Sequence, residues 1–280
     1  MRKETLNFFE SVRTGAQNKR ITYFERLENE YGQNGYEAIL RDLDFSGNQT
    51  ILDLGCGSGS LLKYLAPHVT DPHYTGIDAS ARAVEESRAD FGAPMIEFVQ
   101  GDLHSLPFCD HSFDFAFSHM VFALIESPEE AAQEVARVLK PGGTFRLFTP
   151  AYWRLEDEEC SRSFRGVMDT LNSIAPSPRK VGLGNDVFRS RNQIENVLRA
   201  SFGVDASLSF EPSDFLIDLE PEDALQIFSL GMYQFQLIPD GQKGSALQMI
   251  FEKLRALEGD DGLVHMCRPM ELITVKKASK

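Results

Sequence analysis

The stretch Ile51-Leu52-Asp53-Leu54-Gly55-Cys56-Gly57-Ser58-Gly59-Ser60 constrains the fold more than any other part of the chain. A short apolar run leads into glycines at alternate positions, and the helical run Leu61, Leu62, Leu65 follows. Glycine permits positive φ and lets a ligand reach the backbone without meeting a Cβ. A glycine-rich strand-to-helix turn also stands at the carboxyl end of its strand, where open α/β sheets bind ligands. The spacing separates two ligand classes. A dinucleotide fingerprint, G-x-G-x-x-G, would put its third glycine at position 60, which is Ser60. Here the glycines are 55, 57 and 59, and an acid, Asp53, stands two residues before the first.

From Thr50 to Pro150 short apolar runs alternate with amphipathic stretches, which predicts repeated βα units and a parallel sheet. The expected strands are Thr50–Leu54, Tyr74–Ile77, Ile96–Gln100, Phe113–Phe117 and Thr144–Phe148. Ser127 and Glu130 read as a capping box with Pro128 at the first helical position, and Lys140-Pro141-Gly142-Gly143 as the stop. Ser190 and Gln193 read as a second box, with Gly203 closing that helix. Residues 1–45 look helical, with Phe9, Val12, Tyr36, Ile39, Leu40 and Leu43 at helical spacing. Two segments fall outside the alternation. Residues 151–185 are charged, then Pro/Gly-rich; residues 220–258 read as two helices around Pro239-Asp240-Gly241. The closing stretch, Gly262–Lys277, suggests a strand.

Composition removes several function classes. The 28 basic and 42 acidic residues give a net charge of −14, which repels a nucleic-acid backbone unless a basic patch intervenes, and none is visible. The N-terminus lacks the apolar core of a secretory signal, and the longest clean apolar run, Met120–Ile125, is far too short to span a membrane. Cys56, Cys109, Cys160 and Cys267 lie far apart and form no CxxC. That spacing argues against zinc and against a disulfide framework; no metal is expected, and free thiols in a reducing cytoplasm are.

Asp78 ends the second expected strand, 25 residues after Asp53. A carboxylate there can accept from both hydroxyls of a ribose, which fits either NAD or S-adenosylmethionine. Gly101-Asp102 ends the third strand, where Asp102 could accept from an adenine amine with Leu103 packing on the ring. Asp53–Ser60, Asp78, Gly101-Asp102, Leu106-Pro107-Phe108, Phe113-Asp114 and Glu134–Gly143 stand in the order seen in class I S-adenosylmethionine-dependent methyltransferases. The chain resembles their small-molecule branch, related to the ubiquinone and menaquinone methyltransferases, closely over 50–150 and loosely over 186–219.

The resemblance implies a Rossmann-like doubly wound sheet, mostly parallel with an antiparallel last strand. An N-terminal helical lid (1–45) would precede a cofactor-binding domain (46–280) carrying the insertions 151–185 and 220–258. It implies S-adenosylmethionine as cofactor, with Gly55 and Gly57 facing its methionine part and Asp53 supporting the ammonium. Asp78 would take the ribose, Ala79 would lie beside the adenine, and Asp102 with Leu103 would hold the other side of the base. Ser118 and His119 would sit near the reactive methyl.

Methyl transfer from a sulfonium needs mainly alignment and water exclusion, because the cofactor carries the activation. A base is needed only when the acceptor must lose a proton, and His119 is the candidate by position. His104 is expected to face solvent, and His68, His73 and His111 to lie in loops. Phe122, Tyr152 and Trp153, with Tyr23 from the N-terminal region, are expected to line the pocket of a small-molecule substrate. An apolar surface on 220–258 suits either a lid or a homodimer contact. Two alternatives remain open: transfer or cyclisation of the aminocarboxypropyl group with release of methylthioadenosine, and a non-catalytic cofactor-binding or scaffolding module.

Overall fold

The computed structural model describes Asn7 and residues 25–45, 47–69, 73–91, 96–177 and 184–279. The helical reading of Phe9 and Val12, and Tyr23 as a pocket residue, lie outside the described residues. β1 (Thr50–Leu54), β2 (His73–Asp78), β3 (Ile96–Gln100), β4 (Phe113–His119) and β5 (Leu139–Pro150) run parallel, close to where the apolar runs put them. Three further strands share the C-terminal part: β6 (Ser207–Pro212), β7 (Phe215–Leu219) and β8 (Val264–Arg268). β9 (Met270–Lys276) completes the main sheet, whose order is β3-β2-β1-β4-β5-β9-β6. β9 runs antiparallel to both of its neighbours, so the expected antiparallel last strand is present, inserted between β5 and β6.

The predicted single strand over Gly262–Lys277 is two. Pro269, which has no N–H to donate to a ladder, falls between them. β8 leaves the main sheet there and pairs with β7 in a separate two-stranded ribbon. β6 and β7 were not anticipated. β6 lies at the sheet edge, with alternating half-buried and exposed residues and no continuous apolar run to signal it.

Along the central strands the side chains divide between the two faces of the sheet, as the two-residue period requires. Ile51, Tyr74, Phe117 and Phe148 belong to one apolar cluster, while Leu52, Leu54, Ala116, Phe145 and Leu147 belong to the other. Helices cover both layers: α1 (Gly35–Leu40), α2 (Ser60–Leu65), α3 (Ala81–Asp90), α4 (Pro128–Val138), α5 (Glu159–Ile174), α6 (Arg191–Phe202), α7 (Pro221–Gln226), α8 (Tyr233–Gln236) and α9 (Asp240–Arg255). The segment 220–258 is therefore more broken than expected. A π-helical turn over Ile227–Gly231 separates α7 from α8, and Asp240-Gly241 starts α9 instead of turning between helices.

Two expected capping boxes do not form. α4 and α6 begin at Pro128 and Arg191, but neither Ser127 nor Ser190 makes a side-chain cap bond. Both helices retain backbone bonds to the cap carbonyl, Ala131 to Ser127 and Ile194 to Ser190. Gly203 does end α6, at φ 87°. The capping box that does form belongs to α1, the one helix found in the described part of 1–45 other than at Asn7. Asn34 accepts from the amides of Tyr36 and Glu37, and Glu37 accepts from the Asn34 amide. At the other end Arg146 of β5 donates to the carbonyls of Ile39 and Arg41, a cation placed at a helix C-terminus.

Between these anchors α1 is pressed onto the sheet at a residue with no side chain. A Cβ on Gly35 would lie 2.4 Å from His119 Nε2 and 2.8 Å from the Phe148 ring. Gly35→Ala should therefore cost about 1–3 kcal/mol of stability. In a His119→Ala background, which vacates that space, the increment should shrink. Urea unfolding of the four proteins measures both, and an unshifted Gly35→Ala midpoint would show that the contact is not tight.

Candidate active site

Strand order reverses between β1 and β4, and the loops at the carboxyl ends of β1–β4 gather around that switch point, where open α/β sheets place their ligands. Register brings the expected residues to this edge. Asp53 lies beside Gly76 of β2 and Phe117 of β4, and Asp78 lies beside Gln100 of β3, immediately before Gly101-Asp102.

The turn after β1 has the backbone its glycines allow. Gly55, Gly57 and Gly59 all take positive φ, at 73°, 57° and 78°. The amides of Gly55 and Cys56 bond the Ile77 carbonyl at 2.8 and 3.1 Å. Asp78 then reaches across: its Oδ2 accepts from the Gly57 amide and its Oδ1 from the Ser80 amide, both at 2.9 Å. The carboxylate expected to grip a sugar thus also braces the glycine turn. Each oxygen keeps a further acceptor direction, since an ionised carboxylate offers about four lone-pair sites.

Gly55 departs from expectation. The space its missing side chain leaves is filled by Val121, whose Cγ2 lies 2.5 Å from where a Cβ would stand. The glycine there admits a neighbouring side chain. Leu103 is likewise committed to the core: it is 7% exposed and clusters with Ile77 and Leu106, so its side chain does not offer a free face to a base. Ala79 is half-buried, and its carbonyl accepts from Gln100. Asp102 Oδ1 accepts from the His104 amide at 3.1 Å and contacts the His104 ring at 2.6 Å. Burial pushes the Asp102 pKa up, but the His104 bonds are among those that hold it below the usual carboxylate range. His104 itself is largely enclosed, with 15% of its side chain exposed, which corrects the expectation of a solvent-facing residue. His73 lies in β2 and not in a loop, whereas His111 lies in a turn as expected, with its Nδ1 3.1 Å from the Leu139 carbonyl.

Asp53 is 3% exposed and accepts from the Tyr74 hydroxyl at 2.5 Å. Burial raises its pKa to about 7, the Tyr74 bond opposes the rise, and the charge of Asp78 adds to it. Ser118, at the end of β4, is fully buried, and its hydroxyl has no hydrogen-bond partner among the described residues.

His119 ends β4 in a stack of rings. Phe148 lies parallel to it with centroids 5.3 Å apart, Tyr36 covers it at 4.1 Å, and Tyr64 stacks on Tyr36 at 5.2 Å. Burial pushes the His119 pKa down to about 3, with Arg268 contributing, and among the described residues Nε2 is enclosed without a partner against Gly35. An imidazole this weakly basic is a poor proton acceptor near neutrality. That corrects the expected base: the ring is placed for packing. The other pocket candidates do not converge on it. Phe122 is 1% exposed and packs with Phe145 and Phe188 on the opposite face of the sheet, so it is core. Trp153 packs against that same cluster, and Tyr152 is 41% exposed. Tyr36 and Tyr64, which complete the stack, were not among the expected site residues; the Asn34/Glu37 pair was a signal that could have marked the helix start there.

Residues 52–147 match the family described as a methyltransferase domain. The cofactor expected from the sequence is S-adenosylmethionine. The curated relatives include the fatty-acid O-methyltransferase of Mycolicibacterium smegmatis, 35% identical over 135 residues covering 48% of this chain and 48% of that protein. A malonyl-[acyl-carrier protein] O-methyltransferase of Enterobacter lignolyticus is 29% identical over 140 residues, 47% of this chain and 54% of that one. The chain spans about half the length of the curated relatives it matches. Among solved structures, a protein of Anabaena variabilis described as a methyltransferase from an antibiotic biosynthesis pathway aligns with a TM-score of 0.65 at 17% identity. That alignment covers 90% of this chain and 99% of the other, and it extends the shared fold well beyond the methyltransferase domain.

The residues present fit the cofactor. Positive-φ glycines open the turn, two carboxylates stand at adjoining strand ends, and the buried Ser118 hydroxyl has a bond to give. No helix among the described residues is long and apolar enough to cross a membrane.

Proposed function

We propose that the protein transfers a methyl group from S-adenosylmethionine to a carboxylate oxygen of a small, largely apolar acid. The observation that carries this reading is the state of His119, held neutral and enclosed at the strand end where a base was expected. An acceptor that is already ionised needs no proton removed, and a carboxylic acid meets that condition at neutral pH. The named activities of the Mycolicibacterium and Enterobacter relatives, both O-methyltransferases of acyl compounds, support the same class. The bound cofactor supplies an activated methyl on a sulfonium. The protein's part is to hold the nucleoside at Asp78 and Asp102, meet the ammonium with Asp53, and keep water from the reacting atoms. Four free cysteines support a reducing cytoplasm as the working compartment.

The raised Asp53 pKa makes this testable by pH. Asp53 is neutral below about 7 and ionised above it. Cofactor affinity should therefore strengthen as pH rises from 6 to 8, and Asp53→Asn should flatten that dependence. The same shift acts on the free protein in the opposite sense. A carboxyl with a raised pKa contributes stability that is present at low pH and is lost as pH rises through about 7. Calorimetry at several pH values reads the first effect and thermal melts the second; a flat wild-type binding profile would remove Asp53 from the ammonium site.

Incubation with S-adenosylmethionine and matched panels of fatty acids, alcohols, phenols and amines tests the function. Methyl esters together with S-adenosylhomocysteine are expected. Methylthioadenosine instead would establish aminocarboxypropyl chemistry, and turnover confined to phenols or amines would overturn the carboxylate acceptor.

A further inference from the structure

The fold brings together two cysteines that sequence spacing keeps apart. Cys160 lies in the first turn of α5, and Cys267 lies on β8, which packs against α5. Glu158, the residue that caps α5, stands beside them. The Cys160 sulfur, the Cys267 sulfur and a Glu158 carboxylate oxygen all lie within 4.8 Å of one another. From these three side chains we infer a binding site for a borderline-soft divalent cation of the zinc class, clamping the start of α5 to β8.

Geometry supports the ion directly. With Zn–S near 2.3 Å and Zn–O near 2.1 Å, a tetrahedron has an S···O edge of about 3.6 Å and an S···S edge of about 3.8 Å. The Cys160 Sγ to Glu158 Oε2 distance is 3.6 Å. The donor set selects the metal: two sulfurs disfavour calcium and magnesium, which take oxygen ligands, and suit zinc. The surroundings resemble a prepared site. The Ser161 hydroxyl, 2% exposed, lies 3.1 Å from Cys267 Sγ, where it can orient the sulfur as an outer-shell partner. Burial is graded from Cys267, 1% exposed, through half-buried Cys160 to exposed Glu158, so an ion has a way in.

The fourth vertex falls to water. An open cleft of about 530 Å³ adjoins Cys160, with Leu257, Glu258 and His265 among its walls. His265 does not complete the set, because Asp218 holds its Nδ1 at 2.7 Å and Asp261 its Nε2 at 3.0 Å. Binding exchanges the two thiol protons, released to solvent, for the cation; no electrons move. Cysteine spacing argues against zinc; long-range packing supplies the second sulfur that spacing lacks.

Cobalt(II) titration of the reduced, metal-stripped full chain tests the site. One equivalent should give thiolate-to-cobalt charge-transfer absorption and the intense visible bands of a tetrahedral ion, both erased by zinc. Cys160→Ser and Cys267→Ser should each abolish the charge-transfer band. Because Cys267 is buried and its variant can fail to fold, the half-buried Cys160 carries the decision, with circular dichroism confirming its fold. Ser161→Ala should weaken binding about 10–100-fold. Cys109→Ser, at an exposed cysteine elsewhere, should bind like the wild type, and zinc should raise the melting temperature of both but not of Cys160→Ser. Absence of a charge-transfer band at millimolar cobalt would overturn the site. So would its persistence in folded Cys160→Ser, or a Cys160–Cys267 disulfide forming under mild oxidant in a protein that takes up no metal when reduced.

Discussion

Asp78→Ala should weaken S-adenosylmethionine binding by about 100-fold or more while the protein stays folded. The substitution removes the acceptor for two backbone amides, Gly57 and Ser80, each 2.9 Å from a separate carboxylate oxygen. Hydrogen bonds to a charged group contribute about 1.5–3 kcal/mol each, so losing two relaxes the glycine turn even before the sugar contact is lost. Asp78 is partly open to solvent, and water can take over the freed amides, so the fold should survive. Asp78→Asn sharpens the test. An amide has one acceptor oxygen for two incoming N–H groups, and its own NH2 must face one of them. It should recover only part of the affinity. Calorimetry showing wild-type affinity in either variant would detach Asp78 from the cofactor.

Arg154→Leu should destabilise the protein by about 3–5 kcal/mol, the range for breaking a buried ion pair from one side. Arg154, in the turn after β5, makes a two-pronged contact with Asp214 at 2.7 and 2.8 Å and lies 3.7 Å from Glu271 of β9. All three side chains are largely buried, Glu271 to 2% exposure, and the Met270 amide bonds the same Asp214. Removing the guanidinium leaves two carboxylates facing each other in the sheet. Burial already pushes the Glu271 pKa to about 7, against the pull of Arg154. The stability tied to that raised value is present at low pH and is lost as pH rises through about 7. Without Arg154 the pKa climbs further, so the variant's deficit should be largest above pH 7 and smaller near pH 5. Urea unfolding at both pH values measures this; a loss below about 1 kcal/mol, or a deficit independent of pH, would show that the triad is not coupled.

The parts of the fold legible from sequence are those written in local pattern. The five parallel strands announced themselves as apolar runs, and Gly55, Gly57 and Gly59 have the positive φ their spacing implied. Asp53, Asp78 and Asp102 reach one edge because parallel register follows from βα alternation. What was hidden depends on contacts distant in sequence. Nothing near Gly55 reveals that Val121 fills its side-chain space, and nothing near His119 reveals that Gly35 and Tyr36 enclose it. Phe122 and Trp153 follow strands on the ligand side, yet the turns that carry them deliver both side chains to the other core layer from His119. Edge strand β6 and the β8–β9 division at Pro269 lacked a continuous apolar signal. The Ser127 box fails because its backbone, at φ −120° and ψ 74°, leaves the extended region from which a cap side chain turns back; Ser190 is extended and still makes no cap bond.

The place of β9 has a bearing on synthesis. β6 touches the main sheet only through β9, so the stretch from Ser213 to Lys276 must leave the ribosome before β6 can dock. At roughly 5–20 residues per second that interval lasts several seconds. Throughout it, nascent β5 presents an unzipped flank of amides and carbonyls, the surface on which a chaperone or a neighbouring polysome product would first take hold.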